Sequence, residues 1–469
     1  MYSLHEIEKQ KKIDEVLVRQ RWDDLEEKIR SLSCDETARK IRASFENYYS
    51  ELLSGGDLIS WVGKLYDYEA GGFYYSNSGR DNDGFLPDLE STYQAMNWIF
   101  NNTLKDDSVQ SKADFYPDWV KERLLKFIKE KQDKNGYFYH PQWPRELTDS
   151  KPHRRGRDLT WACNLLADYG GAPTYDTPNG VMGDGLLWDG TEVFGFSHRD
   201  DVEVVAPKEE LVTPHLKDKE SFIKYLEGFD LKTSSYPVSN TLEAQAAQIL
   251  TRDEVLREKG EDYSLADILV EWFTKNQDPK TGLFTFEVPD CEGLNGLMKA
   301  SSTVFKLNRP FPNPIPALES SIAVVEGDEA VYSVCYVMNP LCTINGLFAN
   351  IKKFSDETSI EKYRARIFAE APEIIRKTKE RILIFKKPDG SFSFCPEYSS
   401  HTSQGHPVAI EKSYEGDVNA TMIATSPVIG HLCEILGVPK MPLFTMSDRM
   451  KLLNIMEENK IIFEEGDKT

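Results

Sequence analysis

The segment QDKNGYF at residues 132–138 sets a pattern in this chain, and QDPKTGLF at 277–284 and PDGSF at 388–392 repeat it. A looser copy, GGFYY, stands at 71–75. Each copy offers turn-forming residues and then a large aromatic side chain. Each also follows a helix-like stretch and leads towards another one. The chain is therefore predicted to consist of helical hairpins.

The helix-like stretches before and after these turns differ in composition. Those before the turns are amphipathic: within 118–131, Val120, Leu124 and Phe127 fall on one face and charges on the other. Those after the turns, such as 158–167, are rich in Ala, Ser, Thr and Leu and carry few charges. We expect the first class in an outer ring and the second in a buried inner ring, where small residues allow close approach.

Pairing outer with inner helices predicts an all-α fold, an (α/α)6 toroid of six hairpins. The pairs are 37–53 with 90–100, 118–131 with 158–167, 219–229 with 240–250, 265–276 with 293–305, 316–325 with 339–351, and 361–383 with 417–436. Pro372 is expected to kink the last outer helix. An open solenoid is the alternative, but its connections are short and regular, whereas several loops here are long.

A single domain is predicted over residues 1–469, with an N-terminal helical extension at 1–34. Extra helices are expected at 4–30 and 448–457. The segment 169–215 is long, Gly-rich and acidic, which is typical of a lid-like insertion. Short extended pieces are expected at 73–76, 138–140, 284–288 and 392–395.

Composition limits the possible partners. The net charge of −21 disfavours binding to nucleic acid and to anionic membranes. No apolar run is long enough for a transmembrane helix, and the N-terminus does not resemble a signal peptide. The seven cysteines show no zinc-binding spacing and are expected to be reduced thiols. These observations predict a cytoplasmic protein with no cofactor and no bound metal; they do not assign an oligomeric state.

The repeated turn resembles that of the terpenoid cyclase and protein prenyltransferase toroids, which carry Gln and then Gly-x-Trp or Gly-x-Phe between outer and inner helices. The resemblance implies an α/α toroid, a fold that many glycoside hydrolases and polysaccharide lyases also use, so it does not fix the activity. The Asp-x-Asp-Asp acid of the class II cyclases is missing; the nearest segment, 415–421, reads EGDVNAT. Asp290 and Cys291 are adjacent, but no His is spaced to complete a prenyltransferase-like zinc site.

Carboxylates recur where the inner helices are expected to begin, around one end of a central cavity. The candidates for general acid/base catalysis are Asp158, Glu243 and Asp417, and those for substrate binding are Glu90 and Glu292; Asp88 lies beside them. Carboxylates that point into one cavity repel each other and are tolerated with raised pKa values or substrate hydroxyls nearby. Helix capping is the alternative role for each of them.

Three further groups complete the predicted site. The basic segment 151–158 precedes the second inner helix as a possible anion clamp, with His153 and Arg157 as ligands; a solvated loop paired with acids is the alternative. In the polar loop 398–407, His406 is a candidate general base and His401 a candidate ligand for substrate. Trp161, Tyr336 and Asn339 are further candidates for substrate binding.

The leading functional hypothesis is a carbohydrate-active enzyme, a glycoside hydrolase or a polysaccharide lyase. Its substrate would be an oligosaccharide, with or without uronic acid, bound in the barrel mouth. The carboxylates, the His and Arg loops and the aromatic residues favour this class. A terpenoid-cyclase-like enzyme and a non-catalytic binding toroid are the alternatives.

Overall fold

The computed structural model describes residues 1–177, 181, 183, 212–285, 289–355 and 358–466, and these are mainly α-helical. Most of the predicted lid-like insertion at 169–215 lies outside the described residues. The chain divides into two compact units. Unit 1 comprises Met1–Glu203, Ile382–Ser426 and Pro439–Thr469, and unit 2 comprises Val204–Arg381 and Pro427–Val438. The prediction of a single domain stays a prediction.

Unit 1 contains eleven helices and four short strands among its described residues. They are α1 (Leu4–Leu32), α2 (Asp35–Leu53), α3 (Leu58–Lys64), β1 (Tyr66–Asp67), β2 (Gly72–Phe73), α4 (Asn77–Asp81), α5 (Leu89–Asn102), α6 (Lys112–Phe115), α7 (Asp118–Lys129), α8 (Arg145–Asp149), α9 (Pro152–Asp168), β3 (Thr402–Ser403), β4 (His406–Pro407), α19 (Val418–Thr425) and α21 (Met446–Gly466). The strands pair as two antiparallel hairpins, β1 with β2 and β3 with β4. Helix α5 packs against α9 and α19, and α1 packs against α2 and α21.

Unit 2 is entirely helical in its described part. Its helices are a 3-10 turn (Pro214–Leu216), α10 (Lys219–Glu227), α11 (Ser235–Glu243), α12 (Ala246–Glu258), α13 (Leu265–Asn276), α14 (Cys291–Lys306), α15 (Pro314–Glu326), α16 (Val334–Phe354), α17 (Thr358–Ala369), α18 (Ala371–Leu383) and α20 (Pro427–Leu436). Helices α11, α14, α16 and α20 pack side by side in that order. Gly296 permits the first of these contacts, because a Cβ there would lie 2.1 Å from Ser235 Oγ.

The structure confirms the repeated turns. Gly71, Gly136, Gly282 and Gly390 have φ angles of 81°, 81°, 71° and 93°, a region that favours glycine. The aromatic side chains that follow, Phe73, Phe138, Phe284 and Phe392, are fully buried. Each turn is therefore fixed by a backbone that only glycine readily adopts and by an aromatic anchor in the core.

Glutamine has the same role in two copies of the turn. Gln132 Nε2 lies 3.4 Å from the carbonyl oxygen of Gly136, and Gln277 Nε2 donates to that of Gly282 at 2.8 Å. The side-chain amide oxygen bonds to a later segment of the chain: Gln132 Oε1 accepts from the backbone N–H of Thr174 at 2.6 Å. The glutamine thus satisfies buried backbone groups of the turn and ties it to the segment that follows.

Three helices that the sequence predicts as continuous are broken. The range 240–250 is interrupted after Glu243, and 417–436 is interrupted at Ser426, before Pro427, because a residue that precedes proline avoids the helical region. The range 361–383 breaks at Glu370, close to the kink expected at Pro372. Closure of six hairpins into a toroid stays a prediction.

One helix in the described part of the chain, α16, is long and apolar enough to cross a membrane, but 61% of its most apolar window is buried inside the protein. It also contains Pro340. A mostly buried helix of this length and composition is also found in the cores of soluble proteins.

Candidate functional site

The residues proposed from the sequence divide between the two units. Unit 1 holds Glu90, His153, Arg157, Asp158, Trp161, His401, His406 and Asp417, and unit 2 holds Glu243, Glu292, Tyr336 and Asn339. Most of those in unit 1 belong to one buried polar cluster. That all of them surround a single cavity stays a prediction.

The guanidinium of Arg154 is the centre of this cluster. It donates to Asp88 Oδ1 at 2.8 Å and lies 3.0 Å from Glu90 Oε2. Its Nε lies 3.0 and 2.9 Å from the two oxygens of Asp158, and its Nη1 lies 3.3 Å from the carbonyl oxygen of Ser403. The four charged side chains are at most 2% exposed. Three carboxylates therefore surround one buried cation.

The excess of carboxylates changes the protonation of the cluster. Burial raises the pKa of Asp158 to about 7, against the effect of Arg154, and the nearby Asp88 and Glu90 add to the rise. Desolvation and like charges both disfavour an ionised carboxyl group. Near neutral pH the cluster can therefore hold a proton that an exposed carboxylate would have lost.

A second buried acid, Asp417, caps α19, and its Oδ1 accepts from the backbone of Ala420 at 2.7 Å. Burial raises the pKa of Asp417 to about 7, although hydrogen bonds from Ala420 and from the Tyr75 hydroxyl lower it. Burial also raises the pKa of Tyr75 well above its usual value, and the charges of Asp417, Glu90 and Asp88 contribute. Tyr75 thus connects Asp417 electrostatically to the carboxylates around Arg154.

The indole of Trp143 forms a wall of the cluster. Its ring centroid lies 4.6 Å from that of His140 and 4.5 Å from that of His406, and the Arg154 guanidinium lies 4.8 Å from its ring. Burial lowers the pKa of His140 well below its usual value and that of His406 to about 4, and the charge of Arg154 adds to both shifts. Both imidazoles are consequently neutral at pH 7. His406, the predicted general base, is fully buried.

The side of the cluster closest to solvent is formed by Arg157. This side chain is 30% exposed, and its Nη2 lies 3.1 Å from Glu90 Oε1. Its guanidinium lies 4.5 Å from the ring centroid of Trp161, which stacks on Tyr93 at 5.4 Å with an interplanar angle of 13°. The predicted binding residues Glu90, Arg157 and Trp161 therefore do meet, with Arg157 between Glu90 and the stacked aromatic pair.

The basic segment 151–158 is not the loop expected from the sequence, because α9 begins at Pro152. Its arginines pair with acids, and Arg155 donates to Asp149 at 2.8 Å. Helical periodicity places Arg154 and Asp158 on one face, four residues apart. His153 is half-buried on the same helix. The imidazole of His401 is exposed, so this predicted binding residue lies outside the buried cluster.

Glu243 lies at the end of α11 and not near the start of an inner helix, as expected from the sequence. It accepts from Lys299 at 2.7 Å, from Lys306 at 2.9 Å and from Ser302 at 2.6 Å. Against the effect of burial, the two lysines lower the pKa of Glu243 to about 2. A carboxyl group with this pKa is ionised at neutral pH, so Glu243 cannot act as the general acid there.

The other predicted residues of unit 2 lie near the starts of α14 and α16. Glu292 is exposed, and Tyr336 is half-buried. Burial raises the pKa of Tyr336, and Glu292 is the first of the charges that add to this rise. Asn339 is buried and donates to Asn295 Oδ1 at 2.5 Å. These residues form a small polar group of their own.

Five residues of the cluster were missed as site residues: Tyr75, His140, Trp143, Arg154 and Ser403. The repeated turn held a signal for two of them. Tyr75 follows the buried Phe73 by two positions, and His140 follows Phe138 by two. Alternate residues of an extended segment point to the same side, so both side chains point inward with the aromatic anchor.

Within the described ranges, no group of three or more His, Cys, Asp or Glu side chains is arranged to hold a metal ion. In the part of the chain that the structure describes, none of the seven cysteines forms a disulfide. Comparison with known proteins gives no relative, because no protein-family model matches the chain and neither a curated protein nor a solved structure is significantly similar.

Proposed function

We propose that this protein is a cytoplasmic carbohydrate-active enzyme that hydrolyses a neutral oligosaccharide at the unit 1 cluster. The observation that supports this proposal is the excess of buried carboxylates over cations around Arg154 and Tyr75. Glycoside hydrolysis passes through an oxocarbenium-like transition state and needs one protonated and one ionised carboxyl group. A cluster with negative charge and a carboxyl pKa near 7 supplies both.

The charge balance favours hydrolysis over β-elimination. Elimination from a uronate builds negative charge next to the substrate carboxylate, so it requires uncommitted cations. Arg154 is already bound to three carboxylates, and Arg157 is paired with Glu90. The clamp for a uronic acid expected from the sequence therefore has little free positive charge.

The protonation states of the carboxyl groups assign the general acid and the general base. Asp417, with a pKa of about 7, gives its proton to the leaving oxygen as the glycosidic bond breaks. Glu90 takes a proton from the attacking water as the new carbon–oxygen bond forms, which restores the charge balance. Arg154 and Asp158 act as positioning residues because they fix Glu90. The hydrolase fold would be the predicted (α/α)6 toroid.

The second candidate is a non-catalytic binding protein in which the cluster is structural. The observation that favours it is burial, since Asp158 and Asp417 have no exposed surface. A terpenoid cyclase is less compatible with the cluster, because its cavity should be dry, aromatic and poor in carboxylates.

The test is incubation with neutral and uronate-containing oligosaccharides, with assays for new reducing ends and for the absorbance of unsaturated uronides. We expect hydrolysis of a neutral glycan, reduced by about 100-fold or more in Asp417→Asn and Glu90→Gln. Asp218→Asn, which changes the cap of α10, is the matched control and should keep full activity. Unsaturated products would replace hydrolysis by elimination, and inactivity on every glycan would favour the binding protein.

A further inference from the structure

The β3–β4 hairpin covers the buried cluster. Its strands are joined by Gln404 and Gly405, whose φ angles of 52° and 85° are those of a tight two-residue turn. Ser403 pairs with His406 across the hairpin. The hairpin is thus a small element that delivers these two side chains together.

Ser403 occupies hydrogen-bonding positions in the middle of the cluster. Its hydroxyl donates to Glu90 Oε2 at 2.6 Å, and its carbonyl oxygen lies 3.3 Å from Arg154 Nη1. On the other strand, the Pro407 carbonyl accepts from Trp143 Nε1 at 2.9 Å. The hairpin therefore satisfies groups that would otherwise need water or a ligand.

The attachment of this loop is mostly polar. Residues 399–410 contain no Asp, Glu, Lys or Arg. Their apolar contribution to the core is Val408 and Ala409, which pack with Tyr75 and Trp143, while Ile410 is 41% exposed. The ends of the loop are held together, because the Ser399 amide lies 3.3 Å from the Ser413 carbonyl oxygen. A loop with close ends and few apolar anchors can move as a unit at modest cost.

We propose that the β3–β4 hairpin is a removable plug and that Ser403 marks the position of a substrate hydroxyl, an inference that rests on the proposed hydrolase function. When the hairpin leaves, Glu90 loses a hydroxyl donor and Arg154 loses an oxygen acceptor. The incoming ligand must replace both, because a buried charged group that loses a hydrogen-bond partner destabilises the site. A neutral polyhydroxylated molecule supplies a donor hydroxyl and an acceptor oxygen side by side, whereas a carboxylate would meet Glu90 as a like charge.

The plug is tested through its opening, independently of any glycan. Hydrogen–deuterium exchange of residues 402–409 is compared in the wild type, Ser403→Ala and Ser403→Thr, together with diethyl pyrocarbonate labelling of His406. Ser403→Ala should speed both by about three- to tenfold, since one hydrogen bond to a charged group is lost. Ser403→Thr keeps the hydroxyl and should resemble the wild type. Ser413→Ala, a substitution in the same loop whose hydroxyl bonds only to the Ile410 carbonyl, is the matched control.

Exchange of the hairpin as slow as that of α5 in every variant would overturn the plug, whatever the oligosaccharide assays give. Fast exchange that Ser403→Ala does not increase would also overturn it, because Ser403 would not be the latch. If the hairpin opens as expected but no glycan is hydrolysed, the hydrolase proposal fails and the hairpin remains the gate of a binding site. His215 in unit 2 provides an internal labelling control.

Discussion

Each unit contains a cluster of carboxylates and cations, and the two clusters shift the pKa of a carboxyl group in opposite directions. Around Arg154 in unit 1, three carboxylates share one buried cation, and the pKa of Asp158 rises to about 7. Around Glu243 in unit 2, one carboxylate has two lysines, and its pKa falls to about 2. Burial and the ratio of cations to carboxylates together decide whether an acid keeps its proton. An acid that keeps its proton can donate it, and an acid that has lost it cannot.

The largest effect is expected from Arg154→Met. This variant leaves Asp88 and Asp158 buried without the cation and Glu90 with Arg157 alone, which should destabilise the protein by about 3–5 kcal/mol at pH 7.5. The loss should be smaller at pH 5, where Asp158, with its raised pKa, is protonated. Urea unfolding at both pH values measures it. Arg155→Met on the same helix, whose guanidinium is 25% exposed, should cost less than about 1 kcal/mol. Equal losses of stability in the two variants would show that the buried cluster around Arg154 contributes no more to stability than a more exposed ion pair does.

Asp417→Asn should stabilise the protein at high pH. The folded pKa of about 7 exceeds the unfolded value of about 3.9, so the wild type loses stability as pH rises from about 4 to about 7. The amide keeps the cap on α19 and removes the buried charge. We expect a gain on the order of 1–3 kcal/mol at pH 8 and none at pH 4, measured by chemical denaturation. A gain that does not change with pH would show that Asp417 is not the titrating group.

Glu243→Gln should have the opposite sign. Its folded pKa of about 2 lies below the unfolded value of about 4.3, so its stabilisation is full above the unfolded pKa and is lost as pH falls towards 2. The variant should be less stable by about 1–2 kcal/mol at pH 7, and the difference should shrink at pH 3. The same denaturation series tests it. Stabilisation by this change at pH 7 would contradict the comparison of the two clusters.

The smallest effect is expected from Lys306→Met. This lysine is 56% exposed, and its partner Glu243 keeps Lys299 and Ser302. Solvent screens such a pair, so the change should be about 0–1 kcal/mol and should diminish further in high salt. Lys299→Met, at 20% exposure, should cost more. The reverse order would mean that burial does not set the strength of these pairs.

Local chemistry made the repeated turns predictable. Gly136 supplies the positive φ angle of its turn, and Phe138 supplies the buried aromatic anchor two residues later. Both residues stand close together in the sequence, so the turn could be recognised there. The helix start at Pro152 was missed because the charges that follow it suggested a solvated loop, whereas Arg154 is buried by acids from other segments. Arg154 contacts Ser403, which lies 249 residues further along the chain, and no local sequence pattern predicts such a contact.

In the candidate site, too, features set by local sequence could be predicted, whereas features set by distant segments could not. Asp417 could be proposed because helix starts favour acids, and it does cap α19. Asp158 was proposed for the same reason, but it lies in the second turn of α9, which begins at Pro152. Their raised pKa values depend on burial by distant segments and could not be deduced. Glu243 was placed wrongly because the helix was expected to continue through residues 244 and 245, where the structure breaks it. Its role therefore changed from a first-turn acid to a last-turn carboxylate held by lysines.

Unit 1 is formed from three separate stretches of the chain, and this has a consequence for protein synthesis. Arg154 leaves the ribosome 249 residues before Ser403, which at roughly 5–20 residues per second is a delay on the order of 10–50 s. Throughout that interval the nascent chain carries Asp88, Glu90, Arg154 and Asp158 without the segment that covers them. Water must hydrate these charges until the later segment arrives, so completion of the cluster belongs to the final stage of biogenesis.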